Sequence, residues 1–222
     1  CVDLLKVLHA DIINHASDFS GTKKIVYVGD YIDRGLYSKE VIDLLLDRPL
    51  PGFEHIFLRG NHEQSLLDFL EDPIPTRGWL NYGGLDTVVS YGVRLAGLPR
   101  YHDDILVLRD ELAENIPDRH LEFINNTQYS FIEGNYCFVH AGIVPGIPLD
   151  KQQPPDLMWI RNKFISSKRP HEKIIVHGHT VIKDVEVLPN RIGIDTGAYA
   201  SGKLSCLILE DDTQLVLQTS RD

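Results

Sequence analysis

Apolar positions in the first seventy residues alternate between two periods. Leu5, Leu8 and Ile12 recur at helical spacing, Leu4 and Ile13 widen the stripe, and Gly21 is placed to end the helix. Lys24-Ile25-Val26-Tyr27-Val28 then reads as a buried strand that runs into Gly29-Asp30. Ser38 can cap a second helix, whose Val41, Ile42, Leu45 and Leu46 face inward until Pro49 stops it. Residues 54–59 read as a second strand closed by Gly60, and Leu66, Leu67 and Leu70 mark a third helix. Helix–strand–helix–strand–helix predicts right-handed βαβ crossovers and a partly parallel sheet.

The pattern loosens over 73–128, where Pro, Gly and aromatic residues precede two predicted helices, at 102–115 and 118–125. This segment reads as a cap or insertion over one edge. Beyond it strands dominate. Tyr129–Ile132 and Tyr136–His140 flank Gly134-Asn135 as a hairpin, and further strands are predicted at 174–177, 185–188, 191–194, 204–209 and 215–217. Neither a repeat nor a low-complexity linker interrupts the chain, so residues 1–222 are expected to form one domain, α/β in its first half and β-rich in its second.

Composition narrows the function. The 222 residues are 43% hydrophobic and 24% charged, which suits a soluble domain with a sizeable core. No apolar run approaches the roughly 18 residues of a membrane span, so no membrane partner is expected. Cys1, Cys137 and Cys206 have neither disulfide-framework nor zinc-knuckle spacing, which points to a reducing, cytoplasmic location. A net charge of -10 without a basic run argues against nucleic acid as a partner. An acidic chain that handles an anion needs a local source of positive charge. The single methionine is Met158, so the gene is expected to extend upstream of Cys1.

Four strand ends carry metal-ligand residue types beside glycine: Gly29-Asp30, Gly60-Asn61, His140-Ala141-Gly142 and Gly178-His179. Glycine lets the backbone turn sharply there, and ligands of α/β sheets gather at the carboxyl ends of strands. Each motif alone has an ordinary structural reading, as a turn, a helix cap or a structural histidine. Together Asp30, Asn61, His140 and His179 form a mixed oxygen–nitrogen set, which favours Mn, Fe or Zn over Ca or Mg. The absence of thiolate from the set argues against a closed structural zinc site. A bound cation would supply the missing positive charge. His62, next to Asn61, can donate a proton to a leaving group, and Asp33 can hydrogen-bond His62 and keep it cationic. Arg34 offers a planar fork to phosphate oxygens.

These residues closely resemble the calcineurin-like metallophosphoesterases, in particular the phosphoprotein phosphatase branch. The family's GDxxDRG is similar to residues 29–35, its GNHE to 60–63, its HG/HA strand end to 140–142 and its GHT to 178–180. Trp159-Ile160-Arg161 resembles the segment that presents a second phosphate-binding arginine, and residues 191–202 resemble the C-terminal signature of bacterial members. The resemblance implies a two-sheet β-sandwich flanked by helices. It implies a pair of divalent metal ions in the intact enzyme, with Asp30 shared between them and Asn61, His140 and His179 completing one. It also implies metal-activated hydroxide attack on phosphorus, with His62 as general acid and Arg34 and Arg161 on the phosphoryl oxygens. The expected substrate is a phosphorylated protein or small phosphoester.

The family's opening GDxHG motif has no counterpart in these residues, and Cys1–Leu5 resembles the stretch immediately C-terminal to that motif. The motif is therefore expected upstream, and residues 1–222 by themselves are expected to hold at most one ion tightly and to show little or no turnover. Two competing functions share the local motifs. One is hydrolysis of dinucleoside polyphosphates on the same fold; the other is a non-catalytic phosphate- or metal-binding module, against which His62, Asp33 and the two arginines argue.

Overall fold

The computed structural model describes residues 1–95, 97–210 and 213–219. In the first half, α1 (Val2–His15), β1 (Lys23–Tyr27), α2 (Ser38–Asp47), β2 (Phe53–Phe57) and α3 (Asn61–Glu71) follow the predicted order. β1 and β2 pair in parallel, Lys23 against Phe53 through Tyr27 against Phe57, as a helical crossover requires. Two local readings change. α1 ends at His15, well before Gly21, because the N–H of Ala16 already closes on Ile12 and the chain then turns. Ser38 lies inside α2 and does not cap it. Its hydroxyl donates to Gly35 O at 3.2 Å, accepts the Asp33 N–H at 3.1 Å and meets the Thr87 hydroxyl at 3.2 Å, so the turn just before the helix and one tertiary contact occupy the group in place of a cap.

Residues 73–128 fold as α4 (Pro73–Thr76), a 3-10 turn (Arg77–Tyr82), α5 (Gly84–Ser90), α6 (His102–Asn115) and α7 (Asp118–Asn125). Their Trp79, Val88, Leu112 and Ile124 share one buried cluster with Ile42 of α2 and Leu66 and Phe69 of α3. This segment is thus built into the main core of the first half.

The second half contributes β3 (Ser130–Glu133), β4 (Tyr136–Val139), α8 (Pro154–Trp159), α9 (Asn162–Ile165), β5 (Ile174–His177), β6 (Glu186–Val187), β7 (Arg191–Gly193), α10 (Ala198–Ser201), β8 (Leu204–Glu210) and β9 (Thr213–Thr219). β3-β4-β5-β7-β6 form one sheet whose central pairs, β4 with β5 and β5 with β7, are parallel. β8 and β9 form a separate antiparallel ribbon that packs on α1 through Leu204, Cys206 and Leu217. The architecture is a mixed α/β fold of helices and several sheets. A cavity of about 960 Å³ lies among α1, β1 and β8, lined by Leu8, Ile25, Tyr27, Leu204 and Cys206. No helix among the described residues is long and apolar enough to cross a membrane.

Candidate active site

β1, β4 and β5, and β2 through the short segment after it, bring their carboxyl ends to one point. Gly29 and Gly60 make the approach possible. A Cβ on Gly29 would lie 2.5 Å from the Gly60 nitrogen, so neither loop tolerates a side chain at that contact. Among the described residues, the non-glycine positions with positive φ are Asp30 (59°), Asp33 (75°), Arg34 (57°) and His179 (61°). All four belong to the residues singled out from sequence. Such conformations cost on the order of 1 kcal/mol each and persist where surrounding contacts over-determine them.

Glu63 supplies much of that constraint. Its buried carboxylate accepts the N–H groups of Asp30 (2.9 Å), Tyr31 (2.7 Å) and its own Gly60 (2.9 Å). Burial pushes the Glu63 carboxyl up to about 7, and the neighbouring Asp30 charge adds to this, while the Asp30 and Gly60 N–H bonds and the His62 charge pull the other way.

Asp30, Asn61, His140 and His179 converge. His140 Nε2 lies 3.0 Å from Asn61 Oδ1, 3.2 Å from His179 Nδ1 and 3.4 Å from Asp30 Oδ1. His140 Nδ1 lies 2.7 Å from the Val28 carbonyl, which holds the ring proton on Nδ1 and leaves Nε2 as a lone pair. His179 stays neutral, its pKa lowered to about 3 first by burial, then by His140 and Arg161. One atom each from Asp30, His140 and His179 lies within 4.8 Å of the others. Lone pairs of a carboxylate, an amide oxygen and neutral imidazoles therefore point at each other with few protons between them. That arrangement is repulsive alone and fits a divalent cation at its centre.

Beside this cluster His62 Nδ1 lies 2.5 Å from Asp33 Oδ2. Burial disfavours the imidazolium, but the Asp33 hydrogen bond and the charges of Asp30, Asp33 and Glu63 outweigh it and raise the His62 pKa above its ordinary value. Asp33 is itself clamped: Trp79 Nε1 donates to its Oδ2 at 2.7 Å and Thr87 Oγ1 to its Oδ1 at 2.6 Å. With Nδ1 turned to Asp33, His62 directs Nε2 toward Asp30, whose Oδ2 is 3.9 Å away.

The two predicted arginines differ in setting. Arg34 lines a cleft of about 230 Å³ together with Asp30, His62, His140 and His179. Arg161 is exposed at the start of α9, near enough for its charge to act on His179. Trp159, just before it, meets the His179 ring edge-on at 6.2 Å. Sequence reasoning missed Glu63, Trp79, Thr87 and Tyr199 as parts of the site. Glu63 was visible as the capping-box position of α3, three residues beyond Gly60; Trp79 and Thr87 carried no local signal.

Residues 3–206 match the calcineurin-like phosphoesterase family. The chain belongs to that family. Its members use divalent metals, in keeping with the Asp30–His140–His179 cluster. Among curated relatives, serine/threonine-protein phosphatase rdgC of Drosophila melanogaster is 32% identical over 76% of this chain, which spans only 20% of rdgC. Bis(5'-nucleosyl)-tetraphosphatase PrpE of Oceanobacillus iheyensis is 25% identical over 91% of this chain and 80% of its own length. A crystal structure of a candidate diadenosine tetraphosphatase superposes with a TM-score of 0.62 at 18% identity, covering 94% of this chain and 86% of that one, which establishes likeness of fold.

Proposed function

We propose that this calcineurin-like phosphoesterase chain is a metal-dependent phosphomonoester hydrolase of the serine/threonine protein phosphatase type. The observation that carries the reading is the His62–Asp33 pair, 2.5 Å apart and directed at the Asp30–Asn61–His140–His179 donor cluster. The four donors would hold a divalent ion, Mn in our assignment, with Fe or Zn compatible, and Asp30 would also serve a second ion. When bound, the metal supplies positive charge against the phosphoryl group and activates water.

The chain's own residues then have separable tasks. Asp33 accepts from His62 Nδ1 and stabilises the imidazolium, which places a proton on Nε2. That proton goes to the departing alkoxide oxygen, whose basicity makes unassisted departure slow. Arg34 and Arg161 bind equatorial phosphoryl oxygens and counter the charge that grows there. Gly29 and Gly60 keep the two loops close enough for these groups to act on one phosphorus. The thiols of Cys137 and Cys206 are free, which suits a reducing cytoplasm.

A second reading has its own support. PrpE-type relatives align over most of both chains, whereas rdgC is matched over a fifth of its length, so hydrolysis of dinucleoside polyphosphates stands as the alternative substrate class. The test is turnover of p-nitrophenyl phosphate with Mn added and after chelation, followed by a phosphoserine peptide against diadenosine tetraphosphate. Chelator-sensitive release of phosphate from the peptide supports the first reading; cleavage of the dinucleotide alone selects the second. Full activity in excess chelator, with metal shown to be absent, overturns both.

A further inference from the structure

Arg34 enters the cleft without a direct ion pair among the described residues, although Asp195, on the same cleft, whose pKa burial raises, is near enough for the guanidinium charge to oppose that shift. Among the described residues no carboxylate lies within ion-pair distance of its guanidinium, and none of its side-chain N–H groups is committed to a hydrogen bond. Its backbone is nonetheless fixed. φ is 57°, its N–H donates to Gly83 O at 3.4 Å, and Gly83 packs so closely that a Cβ there would meet Arg34 Cγ at 2.7 Å. What meets the guanidinium is an aromatic ring: Arg34 Cζ lies 4.7 Å from the centroid of Tyr199.

Tyr199 is presented by a fastened turn. α10 lies between Gly197 (φ 67°) and Gly202 (φ 73°). Thr196 Oγ1 donates to Lys203 O at 2.9 Å, Ser201 Oγ to Thr196 O at 2.6 Å, and Gly197 N–H to Asp195 Oδ1 at 2.9 Å. Val181 closes the other side, 2.8 Å from where a Gly197 Cβ would stand. Tyr199 is 47% exposed, so it fills no core position.

A ring attracts the face of a guanidinium through its quadrupole and consumes none of the five N–H donors, which lie in the edge. A carboxylate partner would orient the side chain equally well, but it would neutralise the charge and occupy the fork. We propose that Tyr199 is a positioning residue for Arg34, holding the guanidinium by its face so that its edge stays free for a phosphoryl group. The inference rests on the reading of Arg34 as a phosphate ligand. It also gives the 191–202 segment a task in the cleft, since that segment carries no other group assigned to the chemistry.

The test is titration of the metal-loaded protein with inorganic phosphate by calorimetry, with p-nitrophenyl phosphate kinetics alongside. The variants are Tyr199→Ala, Tyr199→Phe, Arg34→Ala and the double Arg34→Ala/Tyr199→Ala. Removing the ring should weaken phosphate binding and raise KM about 3- to 30-fold, the span expected of a partly desolvated cation–π contact. Metal content should not change, and Tyr199→Phe should recover most of the affinity. On the Arg34→Ala background, loss of the ring should add nothing. Wild-type affinity in Tyr199→Ala, a full additional loss in the double variant, or a phenylalanine variant as weak as alanine would each overturn the proposal. An inactive wild type that still binds phosphate would overturn the hydrolase reading alone, because the titration reads the contact without turnover. A wild type that binds no phosphate would overturn both.

Discussion

The carboxylate of Glu63, in the first turn of α3, accepts the backbone N–H of Asp30 at 2.9 Å, 33 residues away in the chain. Asp30 sits there at φ 59°, and the same carboxylate also takes the N–H groups of Tyr31 and Gly60. Glu63→Gln leaves one acceptor oxygen and turns an NH₂ toward a backbone donor. At least one buried N–H then goes unpaired, at about 1–3 kcal/mol. The expected outcome is a melting temperature lower by roughly 3–10 °C and weaker metal binding, read by differential scanning fluorimetry and by metal titration. A variant that matches wild type in both would show that Glu63 does not constrain Asp30.

His62→Asn removes the proposed proton donor while keeping a polar side chain of similar reach to Asp33. For alkyl phosphates kcat should fall by about 10²- to 10⁴-fold, and for p-nitrophenyl phosphate, whose leaving group departs without a proton, by much less. Steady-state kinetics on a phosphoserine peptide and on p-nitrophenyl phosphate check this. Equal losses on the two substrates would give His62 some other task.

Arg161 lies exposed beside His179 and makes none of the donor-cluster contacts. Arg161→Ala should therefore raise KM for phosphomonoesters and weaken inhibition by free phosphate several-fold, with metal content unchanged. Inhibition assays and elemental analysis on the same preparation decide it. Unchanged KM together with unchanged phosphate inhibition would remove Arg161 from the site.

Away from the site, His9 of α1 lies 3.0 Å from Tyr27 Oη, and burial, helped by His55, lowers its pKa to about 4. The unfolded imidazole titrates near 6.5, so below that pH the unfolded state binds the extra proton. Stability is full above about pH 6.5 and is lost as pH falls toward 4. Allowing for partial solvent screening, the share of His9 is about 1 kcal/mol. Urea midpoints at pH 7.5 and pH 5 should fall with acid in the wild type, and His9→Gln should fall less. Identical slopes would place the acid sensitivity elsewhere, His177 being shifted in the same direction.

The chain order of elements and the four glycine-flanked strand ends were readable from residues 24–30, 54–63, 136–142 and 174–180. Those features are local: side-chain periodicity tracks backbone geometry, and a glycine beside a short polar residue marks where the backbone must turn. Ser38 shows where local reading fails. Its hydroxyl is a sound cap in sequence, yet in the fold it serves the backbone of Asp33 and Gly35 just before it and also meets Thr87 Oγ1, which arrives by packing from 49 residues away.

The tertiary structure alone decided what holds the reactive groups in place. Trp79 and Thr87 reach Asp33 from 46 and 54 residues away, out of the part of the 73–128 segment that precedes its two predicted helices, a segment that read as a cap or insertion over one edge. Tyr199 reaches Arg34 from the opposite end of the chain. Residue type and spacing state which chemistry a loop can offer, because a carboxylate, an imidazole and a guanidinium keep their donors and acceptors in any fold. The His62–Asp33 pair apart, which neighbour fixes each of them depends on long-range contacts, whose partners leave no imprint on the spacing of either segment.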